Sequence, residues 1–311
     1  MIVRKTVFSL WQHSTSRFTV GGWWFAGRGE PPTTHKKKKS TAANIQPSVS
    51  VVFATRGIFF YMNASSPRST NVLLTGAAGR IGRAFREHTG ERYRLRLADR
   101  DMSKLGDPHG HAVFALDATD PGACQAACAD MDAVIHLAAD PSPAADFYGS
   151  LLDNNIKATY NIFRAAKDQG CRRVIYASSI RALEGYPQGA PLAPDLPARP
   201  IDMYGASKCF GEATAHAFAS SEGLSSIVIR VGTFDPQWRE RNHSAAGLSR
   251  IISARDMSQL LVRCVETPDI PFAIVHGVSD NRIKRLDITS TKELLGYAPQ
   301  DDGFELYGVE P

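Results

Sequence analysis

From Asn71 onward, short apolar runs alternate with segments of helical period, and this alternation predicts the elements of the chain. Asn71–Thr75 is an apolar run of strand length, Arg80–His88 carries a helical period, and Tyr93–Ala98 is a second strand, so the three read as a βαβ unit. Further strands are predicted at Ala112–Ala115, Ala133–Leu137, Arg173–Ala177, Ser226–Arg230 and Phe272–His276. Helices fall between them, among others at Asn154–Gln169, Tyr204–Ala219 and Met257–Glu266. Strands regularly separated by helices predict an α/β fold built on a doubly wound parallel sheet.

Residues 1–70 break the pattern. They hold Trp, Phe, Pro, Ser and Thr without a sustained period, then a lysine run, then an apolar stretch, Ser48–Met62, interrupted by Arg56. That stretch is too short and too charged to span a membrane. The segment reads either as a disordered basic extension or as a mitochondrial or plastid transit segment, and in both cases it lies outside the predicted fold.

Composition narrows the function. With 311 residues, 43% apolar and 22% charged, the chain can bury a sizeable core. Its net charge of +5 would suggest an acidic partner, but the first 70 residues carry ten basic side chains and one acid, Glu30. The remainder is therefore mildly acidic, which argues against nucleic-acid binding. The five cysteines (Cys124, Cys128, Cys171, Cys209, Cys264) are scattered and have no histidines at metal-ligand spacing, so reduced thiols, no metal and a cytoplasmic setting are expected. Cys124 and Cys128, four apart in an alanine-rich stretch, read as packing residues.

The first strand runs into Thr75-Gly76-Ala77-Ala78-Gly79-Arg80-Ile81-Gly82, with glycines spaced three and three. A turn this tight needs residues without Cβ, a pyrophosphate needs close backbone approach, and the following helix start offers N–H groups and a positive dipole end. Asp99, at the end of the second strand and seventeen residues after Gly82, suits a ribose diol and would repel a 2′-phosphate. NAD is thus the expected cofactor, although Arg100 leaves NADP open. Asp117, after the third strand, reads as an adenine-edge contact or a solvated loop acid.

Tyr204 and Lys208 are spaced four apart near the start of a helix, which puts them on one face. A nearby ammonium is expected to lower the phenol's affinity for its proton, letting the pair exchange a proton with a substrate hydroxyl while hydride passes to nicotinamide. Ser178 and Ser179 end the preceding strand at the carboxyl edge of the sheet. Ser179 is the expected partner of the substrate hydroxyl, with Ser178 as the alternative and a helix cap as the plain structural role.

Taken together, the glycine loop, Asp99, His136-Leu137-Ala138-Ala139, Asn155, Ser178-Ser179, the Tyr204/Lys208 pair and Leu295-Gly296-Tyr297-Ala298-Pro299 resemble the extended short-chain dehydrogenases, also described as NAD-dependent epimerase/dehydratases. The resemblance covers about residues 71–300. It implies a Rossmann-fold NAD-binding domain over 71–311 whose last part, about 231–311, supplies substrate-binding elements. It implies cofactor contacts from Gly76, Ala78, Gly79, Arg80, Ile81, Gly82, Asp99, Asp117, Leu137, Ala138, Asn155, Tyr204 and Lys208. It also implies association of copies through two long helices.

The stretch from Pro197 through Tyr204 to Glu212 is most similar to uronate dehydrogenases, which oxidise the anomeric hydroxyl of a hexuronic acid with NAD. By that resemblance Tyr204 is the base, Lys208 holds the nicotinamide ribose, and Ser179 binds the reacting hydroxyl. Two features depart from those enzymes. Ile180-Arg181 replaces an Asn-His pair, and the position of their carboxylate-binding arginine falls near Ala246. Arg181, Arg239 and Arg241 are the candidate replacements, because a guanidinium suits a carboxylate. The expected substrate is a sugar-like molecule with a reactive hydroxyl. A nucleotide-sugar epimerase or dehydratase is the nearest alternative, though only about 80 residues follow Arg230 to hold a nucleotide. A non-catalytic dinucleotide-binding module is the alternative from another class.

Overall fold

The computed structural model describes residues 51–55, 58–62, 69–234 and 244–309. The chain divides after Ala64. In the first unit the described residues are two antiparallel strands, β1 (Val51–Thr55) and β2 (Ile58–Met62), where the pattern predicts no element. They fall inside the apolar stretch flanking Arg56.

The second unit is built on seven parallel strands: β3 (Asn71–Thr75), β4 (Arg94–Asp99), β5 (Ala112–Ala115), β6 (Ala133–His136), β7 (Arg173–Ser179), β8 (Ser225–Val231) and β9 (Phe272–Gly277). Their order across the sheet is β5-β4-β3-β6-β7-β8-β9. The chain thus winds outward from β3 in one direction and then, from β6, in the other. Between β3 and β6 the order reverses, and the crevice outside the carboxyl ends of these strands is where ligands of such sheets bind.

Helices cover both faces because the central strands β3, β6, β7 and β8 are apolar on both sides. Val72 and Leu74 of β3, with Leu95, Leu97, Ile135, Ile175, Ile229 and Val275, form one buried layer against Phe85 of α1 (Arg80–Thr89) and Leu260 and Leu261 of α6 (Ala254–Glu266). Leu73, Val134, Val174, Tyr176 and Val228 form the opposite layer. That layer packs against α2 (Pro121–Cys128), α3 (Ala158–Asp168) and α4 (Met203–Glu222), and Cys124 and Cys128 are buried within it. The short helices α5 (Ala245–Leu248), α7 (Thr289–Leu295) and α8 (Gly303–Tyr307) complete the C-terminal part. Within that part, α6 and β9 are integral to the sheet and its helical layer.

The helix expected from Asn154 begins earlier. Asp146 caps it by accepting from Gly149 N at 2.6 Å, and Phe147–Lys157 winds as a π-helix before α3 takes over. Such wide turns favour functional positions, and this one carries the buried Asn155. Among the described residues no helix is long and apolar enough to cross a membrane, and no cluster of His, Cys, Asp and Glu is disposed to hold a metal.

Candidate active site

The glycine loop lies at the switch point, and the shape of its backbone explains its composition. Gly76 has φ +69°, and a Cβ there would come within 2.8 Å of Ala138 N and 2.9 Å of Leu137 C at the end of β6. A Cβ on Gly82 would strike Gly76 O at 2.5 Å and Ala77 Cα at 2.8 Å, so α1 packs directly on the loop. Gly79 caps α1 without a side chain, and no acid stands in its first turn. The helix start therefore keeps its N–H groups and positive dipole end for an anion. Asp99 Oδ2 accepts from Ala78 N at 3.0 Å, tying the carboxylate to the loop it is expected to serve. Arg100 donates to Asn154 at 3.0 Å. Asp117 accepts from Thr119 N and Oγ1, which hold its carboxyl below the usual range.

A cleft of about 1050 Å³ runs from this loop across the sheet edge. Its lining joins Gly76, Ala78, Gly79, Arg80, Ile81, Gly82, Asp99, Asp117, Leu137 and Ala138 to Ser178, Ser179, Arg181, Tyr204 and Lys208. That volume lies at the upper end of ligand pockets, roughly 300–1000 Å³, and suits a dinucleotide with a small second molecule. Asn155 stays behind the wall. Its side chain accepts from Asp140 N at 2.8 Å and donates to Asp140 O at 3.1 Å and Ser207 Oγ at 2.9 Å, clamping the loop after β6 to α4. His136 is fully buried, with Nδ1 2.8 Å from Thr75 Oγ1.

The catalytic candidates converge because α4 packs tightly on β7. A Cβ on Gly211 would lie 2.1 Å from the Tyr176 ring, so only glycine lets the helix come this close. Tyr204 and Lys208 are both buried. Lys208 Nζ donates to Ala177 O at 3.0 Å and lies 5.6 Å from the Tyr204 ring centre, and burial pulls its ammonium down to about 8. The expectation for Tyr204 is reversed. Burial raises its phenol, and the opposing influences come from a Ser179 hydrogen bond and from Arg181 rather than from Lys208. In a dry site the desolvation of phenolate outweighs a neighbouring charge.

Ser179 also fills the plain role, accepting from Arg181 N at 3.2 Å as the cap of a short helical turn. Ser178 differs from its neighbour. Its hydroxyl donates to Glu212 Oε1 at 2.6 Å, inside a buried network in which Arg230 pairs with both Glu212 oxygens at 2.9 and 2.8 Å. Arg181 faces the cleft but is closed on Asp202 at 3.0 Å, the residue that caps α4. Arg239 and Arg241 lie outside the described residues. Sequence reasoning missed Glu184 and Arg250, which line the cleft. They stand in irregular segments, so no period or spacing marked them.

The chain matches the model of the NAD dependent epimerase/dehydratase family over residues 72–258. It is 35% identical over 252 residues to an NAD-dependent glucose-6-phosphate dehydrogenase of Haloferax volcanii, covering 75% of this chain and 94% of that protein. It is 34% identical over 232 residues to a uronate dehydrogenase of Pseudomonas putida, covering 74% and 84%. Among solved structures, a uronate dehydrogenase from Agrobacterium tumefaciens superposes with a TM-score of 0.69 at 32% identity, covering 78% of this chain and 90% of the other.

Proposed function

The chain belongs to the NAD-dependent epimerase/dehydratase family, and from that premise we propose that it is an NAD-dependent dehydrogenase oxidising a hydroxyl of a sugar or sugar acid. One observation carries the reading. A buried phenol, with Ser179 in the same cleft wall and a buried ammonium beside it, stands in the same cleft as a glycine loop shaped for pyrophosphate. Bound NAD supplies the hydride acceptor. The substrate hydroxyl is held by Ser179 Oγ and yields its proton to Tyr204 Oη. Arg181 favours the phenolate that must form first, while burial opposes it. Lys208, with one hydrogen on the Ala177 carbonyl, keeps two others for a ribose diol. Gly76, Ala78, Gly79, Arg80, Ile81 and Gly82 receive the pyrophosphate, Asp99 the adenosine ribose and Asp117 the adenine edge. Leu137 and Ala138 wall the nicotinamide side, and Asn155 positions the loop beside it. Ser178 acts through Glu212 rather than on substrate.

Self-association through α3 and α4 and a cytoplasmic location belong to the same reading. The test is NADH absorbance on mixing the full chain with NAD and a panel of hexuronic acids, hexose phosphates and neutral aldoses. Turnover is expected on at least one class, and Tyr204→Phe should lower it by about 10²–10⁴-fold while NADH binding persists. Turnover surviving in the variant would refute the role of Tyr204.

A further inference from the structure

Asp140, Ser150, Asn154 and Arg100 all line the cleft and form one hydrogen-bonded file. Asp140, on the loop after β6, accepts from Ser150 Oγ at 2.5 Å. Ser150 Oγ in turn accepts from Asn154 Nδ2 at 3.0 Å, and Asn154 Oδ1 accepts from Arg100 Nη1 at 3.0 Å. An ionised carboxylate only accepts and a guanidinium only donates, so the file runs one way and turns the oxygen of the Asn154 amide toward Arg100. Asp140 is itself pinned, since its N–H donates to Asn155 Oδ1 at 2.8 Å and its Oδ1 accepts from Ser142 N at 2.9 Å. The file is therefore anchored at Asp140 and ends in the exposed Arg100.

Arg100 follows β4 directly and Asn154 belongs to the π-helix after β6, while β3 lies between those two strands in the sheet. Their hydrogen bond thus joins the two flanks of the glycine loop, which leaves the end of β3. Two strand spacings, about 10 Å, separate the flanks, a span that an arginine and an asparagine close together. The neighbouring acids are engaged elsewhere: Asp99 with Ala78 N, Asp101 with Lys104 and Asp117 with Thr119. Among the described residues Arg100 forms no ion pair and holds a neutral amide instead. Its charge is left for an anion, and the loop beside it is shaped for a pyrophosphate.

We propose that the bridge between Arg100 and Asn154 is a strap across the glycine loop: the dinucleotide enters and leaves past it, and Arg100, aimed by Asn154, holds the bound pyrophosphate in place. Asn154 is then a positioning residue that acts only through Arg100. The strap rests on the NAD-binding half of the reading above and not on the identity of the sugar.

Stopped-flow release of NADH from the full chain, followed by its fluorescence with excess NAD as the trap, tests the strap. Arg100→Gln is expected to speed release roughly 10- to 100-fold, and Asn154→Ala roughly 3- to 10-fold. Arg100→Lys, which keeps the charge and a donor, should recover part of the loss. The double variant should release NADH no faster than Arg100→Gln alone, because Asn154 then has nothing to aim. The melting temperature should stay unchanged, since neither side chain is buried. Unchanged release in either single variant overturns the strap, as does a double variant whose effect is the product of the two. Wild-type protein that binds no NADH would instead remove the dinucleotide reading and the strap with it, so the two failures are told apart.

Discussion

Lys208 shows how one side chain serves chemistry against stability. It is buried beside Tyr176 and Tyr204, and burial lowers its ammonium to about 8, whereas an unfolded lysine titrates near 10.4. Between those values the unfolded chain binds the extra proton, so the cost to stability is full below pH 8 and fades as pH rises through the window. Lys208→Met should therefore stabilise the protein at pH 7 by about 1–3 kcal/mol, lose that advantage near pH 10.5, and abolish turnover. A lower denaturation midpoint at pH 7 would contradict this account. The same dryness shifts Tyr204 the opposite way, raising its phenol, since removing water disfavours whichever form of a group is charged. The spacing of Tyr204 and Lys208 shows which groups meet, but not how little water reaches them.

At the level of elements, the helix α4 is held to the sheet by close contact and by charge. Gly211 brings it onto the Tyr176 ring. The buried pair Arg230–Glu212 then joins it to β8, and Arg230 also donates to Pro194 O and Leu196 O at 3.1 and 3.3 Å. Removing one partner would strand a buried charge. Arg230→Met is expected to lower the unfolding free energy by about 3–5 kcal/mol, and Arg230→Met combined with Glu212→Leu to recover most of the loss. Urea unfolding of both proteins reads this directly, and a double variant no better than the single one would show that the stranded carboxylate is not the cause. Because Ser178 hangs on the same carboxylate, the network also fixes the end of β7, from which Ser179 projects.

Across the whole molecule, burial of histidine links the core to pH. His136 is brought down to about 3 by burial and by Lys208, and His276 to about 4 by burial and by Arg230. Below pH 6.5 the unfolded chain takes up protons that the native state refuses, so stability must fall as pH falls. At pH 5 the loss is expected to reach about 2 kcal/mol per histidine, and equal unfolding free energies at pH 7 and pH 5 would refute it.

The sheet that buries these rings was legible in the chain from Asn71 onward, because strands buried on both faces must read as apolar runs and the helices between them as amphipathic stripes. The glycine loop and the Tyr204/Lys208 pair were legible for a similar reason, since each depends on residues close together along the chain. Other features depend on residues far apart in sequence: the bridge from Arg100 to Asn154, the diversion of Ser178 to Glu212, the closure of Arg181 on Asp202 and the raised phenol of Tyr204. Local pattern determined which elements form and what chemistry they carry. Only the packed structure decided which polar groups satisfy one another and which remain for a ligand, because hydrogen bonding and desolvation are set by neighbours in space.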